Sequence, residues 1–345
     1  MRKVTLKDIA KEIGVTTPTV SAALSDTGRV SDEMREKVRK AAKAMGYHPN
    51  IAAQMLKSKR NNRIGLVIND KPEHIYGSGL FEPLIVNFIH FCEEDDLEYQ
   101  IEICDMQSNS SRLPRLMTGG VVGGIIYAGY ISPQVKEWQR GPSVLPMITL
   151  DEQSKYCLIN DYREGMIQAI QYLAALGHRH IRHICGPIKY EIFSKTSQAM
   201  IEGAEQYALN FDPQDDIIEI DTYMKDYKED AAPVSLKYFQ NMFKEEKVPS
   251  AIICSGPQSA RAATYAASEA GLKIPSDISI VAISSSWEAA GSCPSLTSIE
   301  RDSEIMVMRA MSLLQRLMRN TSVCPSNIYI PLKLVTRDST GKLEL

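Results

Sequence analysis

Four side chains in the stretch "GHRHIRHIC" are of types that ligate transition metals: His178, His180, His183 and Cys185. On an extended strand, residues two apart share a face, so 178 pairs with 180 and 183 with 185. A zinc site needs converging ligands and an ionised thiol. No metal is expected here. The glycine-rich "TGGVVGGIIYAG" (118–129) lacks the G-x-G-x-x-G order of a dinucleotide loop and runs into a buried strand. Serine, histidine and aspartate are all present, but no serine stands in a G-x-S-x-G or other nucleophile context. The acidic cluster "EEDD" (93–96) closes a helix and is expected to face solvent. Neither catalysis nor a cofactor is expected.

A second set of residues suits a different chemistry. "TTPTVSAALSD" (16–26) carries the hydroxyls of Thr16, Thr17, Thr19 and Ser21, and no charge before Asp26. Cations lie around it instead. Residues 1–63 hold 14 Lys and Arg against 6 Asp and Glu, a net of +8 within a chain of net −3, so the remainder carries −11. A basic head on an acidic body implies a nucleic-acid arm, because the same polyanion that attracts the head repels the body. Leu56 stands beside Lys57, Lys59, Arg60 and Arg63. An apolar side chain amid phosphate-seeking cations suits a wedge in a minor groove.

Three short helices must position these groups. Thr5 is expected to cap a helix through Ile13, with Asp8 completing a capping box and Gly14 ending it. Thr17 is expected to cap a second helix, with Pro18 at the first helical position, where no N–H is missed. Val20, Ala23 and Leu24 form its inner stripe. After "DTGRV", Ser31 caps a third helix, with Asp32 and Glu33 in its first turn and Met34, Val38, Ala41, Ala42 and Met45 facing inward. Two short helices joined by a tight turn and backed by a third make a helix-turn-helix. Asn50 then caps a helix of roughly 51–57, too short to stand alone; Ala52 and Ala53 leave room for a symmetry mate.

The 345 residues exceed one ordinary core, and 44% hydrophobic with 23% charged residues is a globular composition. No apolar run reaches the ~20 residues of a membrane span. The start "MRKVTLKDIAKEIGV" has no apolar signal region or cleavage site, so a cytoplasmic protein with no membrane partner is expected. Seven scattered cysteines without a C-x-x-C pair suit reduced, mostly buried thiols.

The head "TLKDIAKEIGVTTPTVSAALSD…GRVSDEMREKVRKAAKAMGYHPN" resembles the DNA-binding head of the lactose-repressor (LacI/GalR) family of bacterial transcription regulators. The shared elements are T-x-K-D-I-A, G-V-T, T-V-S, V-S, R-x-K-V and G-Y-x-P-N. The resemblance implies a DNA-contacting set of Thr5, Thr16, Thr17, Pro18, Thr19, Ser21, Ala22, Arg29, Val30, Asn50, Ala53, Leu56 and Lys59. Leu56 falls on the family's hinge-helix leucine. Ala22 falls where an arginine often reads bases, so a bidentate guanine contact is absent. What remains is hydroxyls and small apolar surfaces suited to thymine methyls, which shifts weight onto Leu56 and DNA shape.

Beyond Arg63, strands such as "RIGLVIN", "YQIEIC", "GGIIYAG", "MITLD", "IRHICG" and "ISIVAISS" alternate with helices such as "FEPLIVNFIHFCEED" and "REGMIQAIQYLAALG". That alternation implies α/β architecture, with parallel sheets covered by helices on both faces. "IGLVI", "DYREG…YLAALGHRHI", "GLKIPSDISIVAIS", "PSLTSI" and "LKLVTRDST" resemble the family's two-lobed, periplasmic-binding-protein-like core, in which "GH-x-x-I" is a packing element. The resemblance divides the chain into a helix-turn-helix domain (1–49), a hinge helix and linker (50–61), an N-lobe (62–161 with 291–322) and a C-lobe (162–290 with 323–345). The chain would cross between lobes three times.

In the family a sugar or nucleobase sits between the lobes, held by charged side chains. Here Met200 takes the arginine position, Gly256 and Pro257 replace an aspartate, Ser284 and Ser285 replace paired acids, and only Asp161 keeps an acidic match. Methionine and proline cannot hold sugar hydroxyls as arginine and acids do. Either the effector is less polar, or the cleft answers to no small molecule. Tyr76, Phe81, Tyr127, Asp161, Met200, Tyr223 and Ser284 are the candidate effector contacts, with Tyr130 and Trp287 as further stacking surfaces. The reading that follows is a homodimeric, sequence-specific regulator, a repressor, on palindromic double-stranded operator DNA. The rival reading is a cytosolic sugar-type binding protein with no DNA role; an enzyme ranks third.

Overall fold

Thr5 opens helix α1 (Leu6–Ile13) with a reciprocal cap: its hydroxyl accepts from Asp8 N at 3.4 Å, while Asp8 Oδ2 accepts from Thr5 N at 2.8 Å. Gly14, at φ +73°, supplies the left-handed residue that ends it. Helices α2 (Thr17–Leu24) and α3 (Asp32–Ala44) complete the head, the latter capped by Ser31 on Met34 N. Ile9, Val20 and Val38 are fully buried at its centre, with Ala10, Ala23 and Ala42 beside them. The alanines allow three short helices to approach closely. The computed structural model describes residues 5–24, 30–45, 62–70, 75, 79–105, 112–141, 145–188, 190–220, 231–319 and 324–343. The chain falls into two units, Met1–Asn61 and Asn62–Leu345.

The second unit begins with β1 (Ile64–Asn69), α4 (Phe81–Glu94), β2 (Tyr99–Cys104), α5 (Arg115–Thr118), β3 (Gly124–Gly129), α6 (Pro133–Gln139), β4 (Met147–Leu150) and β5 (Tyr156–Asn160). It continues through α7 (Tyr162–Ala175), β6 (Ile181–Cys185), α8 (Glu191–Gln206), α9 (Pro213–Asp216), β7 (Ile217–Glu219), α10 (Ala231–Met242), β8 (Ala251–Cys254), α11 (Pro257–Glu269), β9 (Ser279–Ser284), α12 (Ser286–Ala290) and β10 (Thr297–Glu300). Helix α13 (Ser303–Met318) and strands β11 (Ser326–Ile330) and β12 (Lys333–Val335) follow.

Two six-stranded sheets result, in the orders β11-β5-β4-β3-β1-β2 and β12-β10-β9-β8-β6-β7. Among the described residues every pairing is parallel except that of β12 with β10. Side chains alternate between the two faces with the strand period of two. Ile64, Leu66, Ile68, Ile126 and Ala128 pack on one face of the first sheet with α4 and α13, while Val67, Ile125 and Tyr127 pack on the other with α5 and α6. The second sheet is covered likewise, by α10 and α11 on one face and α7 and α8 on the other. With both faces covered, the strands read as continuous apolar runs, as expected.

The lobe boundaries need correction. β10 lies in the second sheet and β11 in the first, so the crossings fall between Asn160 and Tyr162, between Glu300 and Ser303, and between Ile330 and Lys333. The division at 291 and 323 therefore misplaces both strands. The chain does pass between the lobes three times.

Candidate nucleic-acid interface and interlobe cleft

Helix α2 starts one residue earlier than its sequence implied. Thr16, not Thr17, caps it: its Oγ1 accepts from Thr19 N at 3.4 Å and shares a 2.8 Å hydrogen bond with Thr19 Oγ1. Pro18 becomes the second helical residue, still within the first turn, whose N–H groups have no intrahelical partner. The Thr16–Thr19 pair keeps one hydroxyl proton between its two oxygens, which leaves a single donor for a phosphate. Thr16 and Pro18 are exposed, Thr17, Thr19, Ser21 and Ala22 half-buried, and Val20 and Ala23 buried beneath them. The helix thus presents a small, uncharged face. Thr5 is exposed at the start of α1. Val30 packs on the head's core, and its carbonyl accepts from Arg35 Nε at 3.2 Å. Arg29, Asn50, Ala53, Leu56 and Lys59 lie outside the described residues.

In the core, three of the expected effector contacts are buried. Met200 is fully buried on α8, against α7 and the second sheet. Phe81 is 3% exposed, within the α4 face of the first lobe. Tyr127 is fully buried and donates to Tyr130 O at 3.0 Å. These side chains are part of the hydrophobic cores. Ser284 ends β9 with a buried hydroxyl that has no partner among the described residues. Asp161 caps α7, accepting from Glu164 N at 3.1 Å. Tyr76 and Tyr223 lie outside the described residues. Trp287 is exposed, and Tyr130 meets Tyr190 edge-on, with ring centroids 6.4 Å apart.

The lobes meet instead through residues whose pattern carried no signal. Asp151, at φ +58°, follows β4. Its carboxylate accepts from Asn160 N at 2.8 Å, Asn160 Nδ2 at 2.9 Å and Tyr162 OH at 3.1 Å. Burial raises the Asp151 pKa, and these hydrogen bonds and the Arg301 charge oppose the rise. Burial first, then the Asp151 charge, also raise the Tyr162 hydroxyl. Arg301, between β10 and α13, donates from Nη2 to Gly79 O at 3.1 Å. Glu288, on α12, is 9% exposed and accepts from Ser285 Oγ at 2.8 Å. The cavity lined by Gly79, Asn160, Ser285, Arg301, Ser303 and their neighbours has a volume of only about 20 Å³, room for about one water.

The histidines do not converge. His178 bonds Ser250 and Gly341 O, His180 bonds Asp216, and His183 bonds Ile253 O and Thr196. Burial pushes the His183 pKa down to about 4, which keeps the ring neutral, and pushes the Cys185 thiol up to about 11. No cluster of metal-binding side chains occurs among the described residues. The described cysteines are all free thiols, four of them buried. No described helix is long and apolar enough to cross a membrane.

Comparison with known proteins agrees with this architecture. Residues 5–50 match the family described as "Bacterial regulatory proteins, lacI family", and residues 170–340 match the "Periplasmic binding protein-like domain". The chain is 28% identical over 354 residues to the HTH-type transcriptional regulator DegA of Bacillus subtilis (strain 168), covering 99% of each chain. It is 25% identical to the HTH-type transcriptional repressor PurR of Actinobacillus pleuropneumoniae serotype 3 (strain JL03), over 98% of this chain and 99% of that one. Among solved structures, the lac repressor dimer bound to operator and the anti-inducer ONPF shares its fold, with a TM-score of 0.82, 22% identity and coverage of 99% and 100%. The chain thus joins a head that matches the lacI family of bacterial regulatory proteins (residues 5–50) to a periplasmic-binding-protein-like domain (residues 170–340).

Proposed function

We propose that the chain is a cytoplasmic, sequence-specific transcriptional repressor, not an enzyme, that acts as a homodimer on a two-fold symmetric operator. The observation that carries this reading is the head. A capped α2 presents Thr16, Thr17, Pro18 and Ala22 above a packed three-helix core, the geometry in which the N-terminal residues of a recognition helix meet base edges. Thr19 and Ser21 would serve phosphates, with Thr5, Arg29, Val30, Asn50, Ala53 and Lys59 contributing around them. Residues 50–61 would form paired hinge helices that place Leu56 in the minor groove at the operator centre. The relatives' names support the repressor assignment: PurR is a repressor, and the lac repressor structure holds operator DNA.

Selection from random duplexes tests the proposal. A two-fold symmetric site should be enriched, and enrichment of none would sink it. On that site, Leu56→Ala should weaken specific binding by about tenfold or more, while non-specific binding changes little; equal losses would refute the wedge.

A further inference from the structure

The cleft raises its own question, since Met200, Phe81 and Tyr127 lie in cores and Asp161 caps a helix. What spans it is the protein. Arg301 leaves the second lobe's β10 and donates to the carbonyl of Gly79, which lies in the first lobe before α4. Glu288, from the second lobe, sits so close to Gly79 that the Cβ of any other residue there would collide with Glu288 Oε2. Gly79, at φ +65°, thus suits both its backbone conformation and a carboxylate packed on its Cα. The Arg301 charge also acts on Asp151, which is bonded to Asn160 and Tyr162 where the chain crosses between lobes.

A ligand that closes a two-lobed core supplies polar groups to both sides and fills the space between them. Here Arg301 and Glu288 from the chain reach across to Gly79, and the cavity beside them, about 20 Å³, has room for about one water. We propose that Arg301 and Glu288 form a built-in ligand that holds the lobes closed over Gly79, so that closure of this core requires no small-molecule effector. The inference rests on reading the core as that of a regulator, and of the two alternatives left open by Met200 and Ser284 it takes the one in which the cleft answers to no small molecule.

Hydrogen exchange on the full-length protein tests it at the amide of Asn160, which Asp151 Oδ1 holds. Arg301→Met should speed that exchange about tenfold or more, as release of a ligated network would. Glu288→Ala should do the same and, like Arg301→Met, enlarge the radius of gyration in X-ray scattering. Glu288 has no hydrogen bond to Asp151 or Asn160 among the described residues, so a merely local role would leave that amide and that radius unchanged. Wild-type protein scanned against millimolar hexoses, disaccharides and purine nucleobases should keep its melting temperature. A shift above about 2 °C with any of them, or wild-type exchange and scattering in both variants, would overturn the latch. None of these readouts involves DNA, so failure of the operator selection is scored separately.

Discussion

Glu152 is where pH should first be felt. Its carboxyl is pushed up from 4.5 to about 7, by burial foremost and then by the Glu191 charge, with Lys136 and Lys195 opposing. A carboxyl whose folded pKa lies above its unfolded value keeps a proton that the unfolded chain has released. It therefore subtracts from stability as pH rises from about 4.5 to about 7 and subtracts a constant amount above that. Glu152→Gln removes the effect. The stability gap between variant and wild type, from urea unfolding, should be near zero below pH 4.5, grow in the variant's favour to pH 7, and then level off. A flat gap would show that Glu152 titrates normally. Glu152 was invisible in the sequence because its environment is built from Asp151, Glu191, Lys136 and Lys195, spread over sixty residues. The surroundings of Met200 were no more visible. Its position along the chain matched a ligand-binding arginine, but its side chain points into the interior packing of α7 and α8.

Among the elements, those set by local chemistry were legible. The Thr5–Asp8 box, Gly14 and the Ser31 cap each depend on residues within four of one another. Apolar runs marked β1, β3, β6 and β9 for the same reason. The error in α2 was one residue, because Thr16 and Thr17 are chemically alike and only the hydrogen bond to Thr19 N separates them. Thr16→Ala should therefore cost about 1 kcal/mol, read as faster exchange of the α2 amides. Thr17→Ala should cost about 0.5 kcal/mol or less; the reverse ranking would return the cap to Thr17. The lobe membership of β10 and β11 was not legible. "TSIE" and "SNIYI" are short strands whose sheet is chosen by pairing outside their own stretch, with Ile283 and, far away in sequence, Leu158.

For the whole molecule, the two units divide after Asn61, and the core's two sheets do not draw on the head. A chain of residues 62–345 should stay folded and, if the proposed homodimer is held by the core, sediment as a dimer. A monomer would move assembly to the head or hinge. The sheet orders also bear on how the protein is made. β5 is complete at Asn160, yet the strand that pairs with its outer edge, β11, ends at Ile330, 170 residues later. At ribosomal speeds of about 5–20 residues per second, that edge waits roughly 9–34 s for its partner. An apolar edge strand left open is a template for pairing with other chains. The head, finished within the first sixty residues, faces no such delay. Each nascent chain thus carries a completed DNA-reading module on an unfinished body, and its most exposed interval for aggregation is the synthesis of the second lobe.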